Sequence, residues 1–315
     1  MNEYKADKKL MGSAFQFIVN AETDEAGQQW IDDCIKEVSR IEKLITEFSE
    51  DSETALVNKN AGICAIQVSD EMYQLVERCI RISKLTNGNF DITAGILKGL
   101  YNFKNAAFEL PTSGRIQEEL EKTGYQNVRL LSNNRIFLEK KGMRIGFGAI
   151  GKGYAANKTM KLMQQKGVTG GVINASGDLC TWGNKWDGTI WKAGIVNPNS
   201  PDEILLWLQL NGLSIATSGN YEQYFDLNGV RYSHNINPKS GRPVRDIKSV
   251  SVVSPHAELS DALATAITVM GVKNGLALIA QLPKTHCVII DERDQVFYSN
   301  NIERVRYLKN MDHAS

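Results

Sequence analysis

Asp261 and Thr265 stand four residues apart in Ser260-Asp261-Ala262-Leu263-Ala264-Thr265-Ala266, a run otherwise small or apolar. On a helix that spacing puts both side chains on one face. One reading is local: Ser260 or Asp261 caps the helix and Thr265 bonds back to the turn before it. The other is chemical. A carboxylate and a hydroxyl are hard oxygen ligands, and magnesium accepts a sparse protein shell completed by phosphates and water. A backbone carbonyl from a nearby turn would add a third oxygen.

Three further stretches carry polar groups or glycines beyond what packing asks for. Gly146-Phe147-Gly148-Ala149-Ile150-Gly151-Lys152-Gly153-Tyr154 places four glycines just before a helix. Such a segment lets backbone approach a ligand and aims N–H groups at an anion, with Lys152 adding positive charge. It equally suits a tight strand-to-helix turn. It is not a Walker A loop, because the spacing differs and no Ser or Thr follows the lysine. Phe90-Asp91-Ile92-Thr93-Ala94-Gly95 alternates apolar and polar groups, as a strand start with a turn aspartate or as a ligand-facing edge. Downstream of Thr217-Ser218-Gly219-Asn220-Tyr221, a strand delivers His234 ahead of Asn235-Ile236-Asn237-Pro238. His234 fits a general base or a histidine that ties the turn.

The elements that must position these groups follow from periodicity. Residues 14–20 alternate as a strand. Residues 23–48 carry Ile31, Ile35, Val38, Ile41, Leu44, Ile45 and Phe48 at helical spacing, which predicts a long amphipathic helix. Asp51-Ser52-Glu53 reads as a turn and helix start. A helix over 70–86 has Ser69 as its cap and ends at Asn87-Gly88-Asn89. Further helices are expected at 114–124 and from Gly151 to Met163, and a hairpin at 135–146. Residues 172–174 read as a buried strand, and Trp182 to Val196 as a strand pair broken at Asp187-Gly188. Strands follow at 204–215, 223–236 and 247–254. Helices over 259–271 and 273–281 precede a hairpin at 288–290 and 296–298. Helices and strands interleave without a strict βαβ rhythm, which predicts an α+β fold with a mixed sheet.

The composition excludes several classes. The chain has 315 residues, 42% hydrophobic and 23% charged, enough for one large domain. Lys+Arg and Asp+Glu both number 36, and a zero net charge argues against nucleic-acid binding. No apolar run approaches a membrane span. The first residues, Met1 to Leu10, have neither the apolar core of a signal peptide nor a lipobox cysteine. The chain as written is therefore expected in the cytoplasm, or in the periplasm if it is a truncated form. The five cysteines contain no Cys-x-x-Cys pair, and the four histidines have no metal-ligand spacing.

In order along the chain, these stretches resemble the FAD:protein FMN transferase (ApbE-like) family. The resemblance runs from Met11-Gly12-Ser13 through Asp51-Ser52-Glu53 with Asn58, then Phe90-Asp91-Ile92-Thr93. It continues through Gly148 to Ala155, Asn174-Ala175-Ser176-Gly177-Asp178 and Thr217 to Tyr221. It closes with His234 to Gly241 and Asp261 to Ala266, covering about residues 11–271. Eight motifs in one order are a specific match where each alone is weak. The resemblance implies an ApbE-like, T-fold-related α+β architecture of mixed sheets with packed helices, as one domain over 1–315. It also implies transfer of FMN from FAD to a Thr or Ser hydroxyl of a target flavoprotein, with release of AMP. By position it implies Mg²⁺ held by the Ala149 carbonyl, Asp261 and Thr265. FAD contacts fall on Met11, Phe48, Asn89, Phe90, Asp91 and Lys152, and the general base on His234. The chain departs from the family at Phe48, where tyrosine is usual, and at Gly146, where aspartate is. Asn237 replaces an aspartate and Ile96 a proline. An FAD pyrophosphatase would use the same site with water as acceptor, and a flavin carrier would bind FAD without turnover.

Overall fold

The computed structural model describes residues 1–101, 110–220, 224–227, 230–300, 302 and 306–307. Strands β1 (Asn2–Leu10) and β2 (Ser13–Ala21) form a hairpin through Met11 and Gly12, both left-handed at φ 51° and 73°. Helix α1 (Asp24–Ile45) starts where Thr23 accepts the Ala26 N–H, and buries Ile31, Cys34, Val38, Ile41 and Ile45. Helix α2 (Glu53–Lys59) starts at the expected turn with Ser52 as its cap, and α3 (Asp70–Leu85) is capped by Ser69, as its sequence predicts. Between them lies the short strand β3 (Ile66–Gln67). Next come α4 (Gly95–Lys98), α5 (Ser113–Leu120), β4 (Val128–Leu131) and β5 (Arg135–Leu138). The expected hairpin at 135–146 is corrected: β5 pairs with β4 and β3, and the chain beyond it leaves the sheet.

The second half begins with α6 (Gly151–Gln165), β6 (Gly171–Ala175) and β7 (Asp178–Trp182). It continues with β8 (Lys192–Asn197), β9 (Ser200–Gln209), β10 (Ser214–Gly219), β11 (Tyr224–Leu227), β12 (Val230–Ser233) and β13 (Ile247–Ser254). Helix α7 (Ala257–Ile279), β14 (His286–Asp291), β15 (Val296–Tyr298) and β16 (Arg306–Tyr307) complete it. The main sheet has eight strands in the order β1-β2-β6-β7-β10-β13-β14-β15. The α+β class is as expected. The expectation of mixed sheets is corrected, because every strand pairing among the described residues is antiparallel.

Two expected strand units divide between sheets. Trp182 to Val196 is not a pair: β7 lies in the main sheet and β8 pairs with β9 in a three-stranded one. Trp182 packs in the main core while Trp191 packs in a second cluster, so the Asp187-Gly188 turn bridges two layers. Residues 204–215 likewise split at Gly212 (φ 65°) into β9 and β10.

Helix α7 explains how antiparallel β13 and β14 can be joined by helix. Gly271 sits at φ 75°, ψ 177°. A Cβ on Gly275 would lie 2.5 Å from Ile267 Cγ2. Eight residues of straight helix would span about 12 Å, so the chain must fold back at Gly271. The two-helix reading of 259–281 therefore holds in substance. By length and composition alone α7 would pass for a membrane span, but it is two helices that fold back at Gly271. Its apolar surface packs on β13 and β14 through Leu263, Ile267, Val250, Val252 and Ile289.

Candidate active site

A cavity of about 700 Å³ opens between the C-terminal end of α1, the loop from Asn89 into α4, the glycine segment before α6, the end of β10, the His234 turn and α7. That volume falls within the range of about 300–1,000 Å³ typical of small-molecule sites. Its walls come from segments far apart in the chain, so only the closed fold assembles it.

The floor is the junction of α6 and α7. The helix cap of α7 is His256, which puts Asp261 inside the helix, so the capping alternative for Asp261 falls. Its Oδ2 instead accepts the Gly153 N–H at 3.1 Å, from the first turn of α6. Helix α6 has no side-chain cap of its own, so a carboxylate from another helix meets one of its unsatisfied first-turn donors. This needs very close approach. A Cβ on Gly153 would lie 2.4 Å from the Ala257 carbonyl oxygen and 2.9 Å from Asp261 Cβ. Gly151 is similarly packed, 2.9 Å from Ile45 Cδ1, whereas a Cβ on Gly148 would meet nothing within 4 Å. The glycines thus divide: those inside α6 serve packing, and Gly148 faces open cavity.

Asp261 is 7% exposed yet lines the cavity with Thr265 and Ala149. A carboxylate anchored by an N–H, a hydroxyl and a backbone segment in one wall form a hard-oxygen set of the kind magnesium takes. Among the described residues no three His, Cys, Asp or Glu side chains cluster as a metal centre.

Lys152 reaches into the same wall, but its ammonium lies 2.7 Å from Asp178 Oδ2. Asp178 is 2% exposed, and its Oδ1 accepts the Thr217 N–H at 3.2 Å. Burial pushes the Asp178 carboxyl above its ordinary value, while Lys152 and the Thr217 N–H pull against that rise. At the rim, Arg144 pairs with Glu47 at 3.1 Å, and Asn58 holds both the N–H and the carbonyl of Ile145 at 2.7 and 2.9 Å. Phe48 stands beside them, 91% exposed.

His234 is half-buried and faces the cavity with Asn235, Ile236 and Pro238. Its turn is tightly specified. Asn235 donates to Asn220 Oδ1 (2.8 Å) and Ser218 Oγ (3.2 Å), and Asn220 donates to the Ile247 carbonyl. Asn237 Oδ1 accepts from Lys239 N (2.9 Å), an Asx turn that the family's aspartate would make equally well. Tyr101 donates to the Gly241 carbonyl at 2.8 Å, tying the turn to the segment after α4.

Nine of the ten sequence-derived site residues line this one cavity: Phe48, Asn89, Phe90, Asp91, Ala149, Lys152, His234, Asp261 and Thr265. Met11 does not; it packs against the main core from the β1–β2 turn. Two of the nine have structural work as well. The Phe90 ring is buried in the core. The Asp91 carboxylate accepts Thr93 N (2.8 Å), Thr93 Oγ1 (2.7 Å) and Tyr125 N (2.8 Å), which pins the loop. Tyr221, part of the Thr217 motif, lies outside the described residues. Sequence reasoning missed Glu47, Lys98, Arg144 and the role of Asp178. Asp178 sat inside a quoted motif and could have been found; Lys98 lies on a four-residue helix too short to show a period.

A family model described as the ApbE family matches residues 11–289. The chain belongs to the ApbE family. The FAD:protein FMN transferase of Escherichia coli (strain K12) is 30% identical over 237 residues, 73% of this chain and 68% of that protein. That of Treponema pallidum (strain Nichols) is 28% identical over 284 residues, 85% of this chain and 78% of that one. The crystal structure of the ApbE protein of Thermotoga maritima superposes with a TM-score of 0.90 at 27% identity, covering 98% of this chain and 100% of that one. The flavin transferase ApbE of Vibrio cholerae shares the fold, with a TM-score of 0.86 at 23% identity over 96% and 99% of the two chains. The family resemblance of the motifs and the α+β fold are thereby established, and the match extends past the last motif at Ala266.

Proposed function

We propose that this ApbE-family protein transfers the FMN half of FAD to a Thr or Ser hydroxyl of a target protein, with AMP as the leaving group. The observation that carries this reading is the meeting in one cavity of the α6 N-terminus with Lys152, the Asp261–Thr265 face of α7, and His234. The relatives' names as FAD:protein FMN transferases support the same reaction.

In this reaction the acceptor oxygen forms a bond to the FMN phosphorus, the pyrophosphate P–O bond to AMP breaks, and the hydroxyl proton leaves. His234 takes that proton or orients the hydroxyl. Lys152, held by Asp178, is a fixed donor to a phosphate oxygen. The exposed Gly148 segment lets the phosphates approach backbone N–H groups. Phe48, Asn89 and the Asp91 loop form the flavin side of the cavity. Asp261, Thr265 and the Ala149 carbonyl would hold Mg²⁺, which supplies Lewis-acid stabilisation of phosphate charge. The Gly153 N–H keeps the Asp261 carboxylate from rotating away.

The test is a mass spectrum of an acceptor peptide after incubation with the protein, FAD and Mg²⁺, with chromatography of the nucleotides. The expected result is a peptide heavier by an FMN adduct, with AMP released. FMN and AMP with every acceptor peptide unmodified would make the protein a pyrophosphatase. Intact FAD under all metal conditions would refute both enzymes.

A further inference from the structure

The cations in the cavity wall are not equivalent. Lys152 is balanced by buried Asp178 at 2.7 Å, and Arg144 by Glu47 at 3.1 Å. Neither brings a net positive charge to an incoming anion. Lys98 also lines the cavity and makes no direct ion pair among the described residues. Its place is set by its neighbours on α4. Leu97 is fully buried with Leu100, Tyr101 and Ile116, and one residue further along a helix turns by about 100°. With Leu97 locked into the core, Lys98 is directed the other way, into the solvent of the cavity. The Tyr101 hydroxyl then ties this short segment to the His234 turn, so Lys98 and His234 ride on one packed unit.

Resting on the FMN-transfer reading, we propose that Lys98 is a substrate-binding residue that neutralises the pyrophosphate of FAD from the α4 side of the cavity. A dinucleotide pyrophosphate carries a negative charge on each phosphate, and Lys98 would add to the metal and the backbone N–H groups a cation that no short ion pair among the described residues already balances. Lys98 is the group whose charge remains to be matched. Desolvation by the cavity walls pushes its ammonium below the usual lysine value although the side chain stays open to the cavity, and Glu47 and Asp261 act through space against that fall. Nothing in the packing requires a lysine here: the side chain is exposed, and its helix is held by Leu97.

The experiment compares equilibrium binding of FAD and of riboflavin, which lacks phosphate, to the full chain and to Lys98→Gln and Lys98→Arg, with Mg²⁺ present. A charge-assisted contact to phosphate predicts about a tenfold loss of FAD affinity in Lys98→Gln. Riboflavin binding should be unchanged, Lys98→Arg should keep most of the affinity, and FAD binding by Lys98→Gln should fall less steeply with salt. Equal FAD affinity in Lys98→Gln and the parent overturns the inference while leaving the transfer reaction standing. Equal losses for FAD and riboflavin overturn it too, since they would mark a change in cavity shape. A parent chain that binds riboflavin but not FAD would remove the transfer reading and this inference with it.

Discussion

Replacing Gly153 and Gly148 separately by alanine should have opposite consequences, and the structure sets the size of each. At Gly153 the new methyl would meet the Ala257 carbonyl oxygen at 2.4 Å, the Ala257 carbonyl carbon at 2.7 Å and Asp261 Cβ at 2.9 Å. The first two are backbone atoms of another helix and cannot rotate away. Overpacking of this kind costs about 1–3 kcal/mol, and the upper end applies where backbone must move. Alanine regains about 1 kcal/mol of helix propensity, leaving a net loss near 2 kcal/mol. The displaced α7 would also stretch the Gly153 N–H to Asp261 contact, so metal-dependent turnover should fall in the same variant. At Gly148 a methyl meets nothing within 4 Å. With no left-handed φ to oppose it, Gly148→Ala should leave stability equal or raise it by about 0.4–1 kcal/mol through the unfolded chain. It should nevertheless weaken FAD binding, because the methyl enters the cavity. Urea unfolding followed by tryptophan fluorescence, with the m-value checked for constancy, reads the first quantity, and FAD titration reads the second. A Gly153→Ala protein as stable as the parent would refute the close α6–α7 crossing. A Gly148→Ala protein with unaltered FAD affinity would refute the ligand-facing role of that segment.

Asp261→Asn keeps an oxygen for the Gly153 N–H but loses the carboxylate charge, so urea stability should change little while Mg²⁺-stimulated AMP release is lost; unchanged turnover would remove Asp261 from the metal site. Phe48→Ala deletes a side chain 91% exposed, so stability should stay within about 0.5 kcal/mol while FAD affinity drops, and equal affinity would show that the ring does not touch flavin. Burial raises the Glu71 carboxyl, but hydrogen bonds from Arg40, Tyr154 and Lys158 together outweigh it and hold the pKa at about 2, against an ordinary 4.5. A depressed carboxyl stabilises the fold above its unfolded value. Glu71 should therefore contribute fully above about pH 4.5, and its contribution should be lost as pH falls towards 2. Glu71→Gln should flatten that limb of the stability curve, and an unaltered limb would refute the assignment.

Much of the local structure was legible because its signals lie within a few residues. The apolar spacing of α1 as far as Ile45 and the Ser69 cap of α3 depend on contacts three or four residues apart, and they appeared where the spacing put them, whereas Phe48, at the same spacing, lies past the end of the helix and is exposed. The break between the two halves of α7 was legible too, since Gly271 and the polar Lys273-Asn274 interrupt the apolar pattern. Strand partners were not. Trp182 to Val196 and 204–215 carry ordinary strand patterns, but a pattern of alternation says that a face is buried without saying against which layer. The antiparallel sheet was equally out of reach, because α7 joins β13 to β14 by folding back and local periodicity does not record the return.

The site divides along the same line. By itself the sequence determined the inventory: an aspartate and a threonine on one helical face, glycines ahead of a helix, a histidine before a turn, and an order of motifs that placed the chain in its family. Tertiary structure decided what each group is occupied with. Asp261 looked able to cap its own helix, yet it receives an N–H from a residue 108 positions away. Lys152 looked like free positive charge, yet buried Asp178 balances it. Lys98 left no mark in the sequence, and the packing of Leu97 turns it into the cavity. Residue type and short spacing set which interactions are chemically available. Desolvation and charge pairing depend on every atom within a few ångströms, and those neighbours are chosen only when the chain closes.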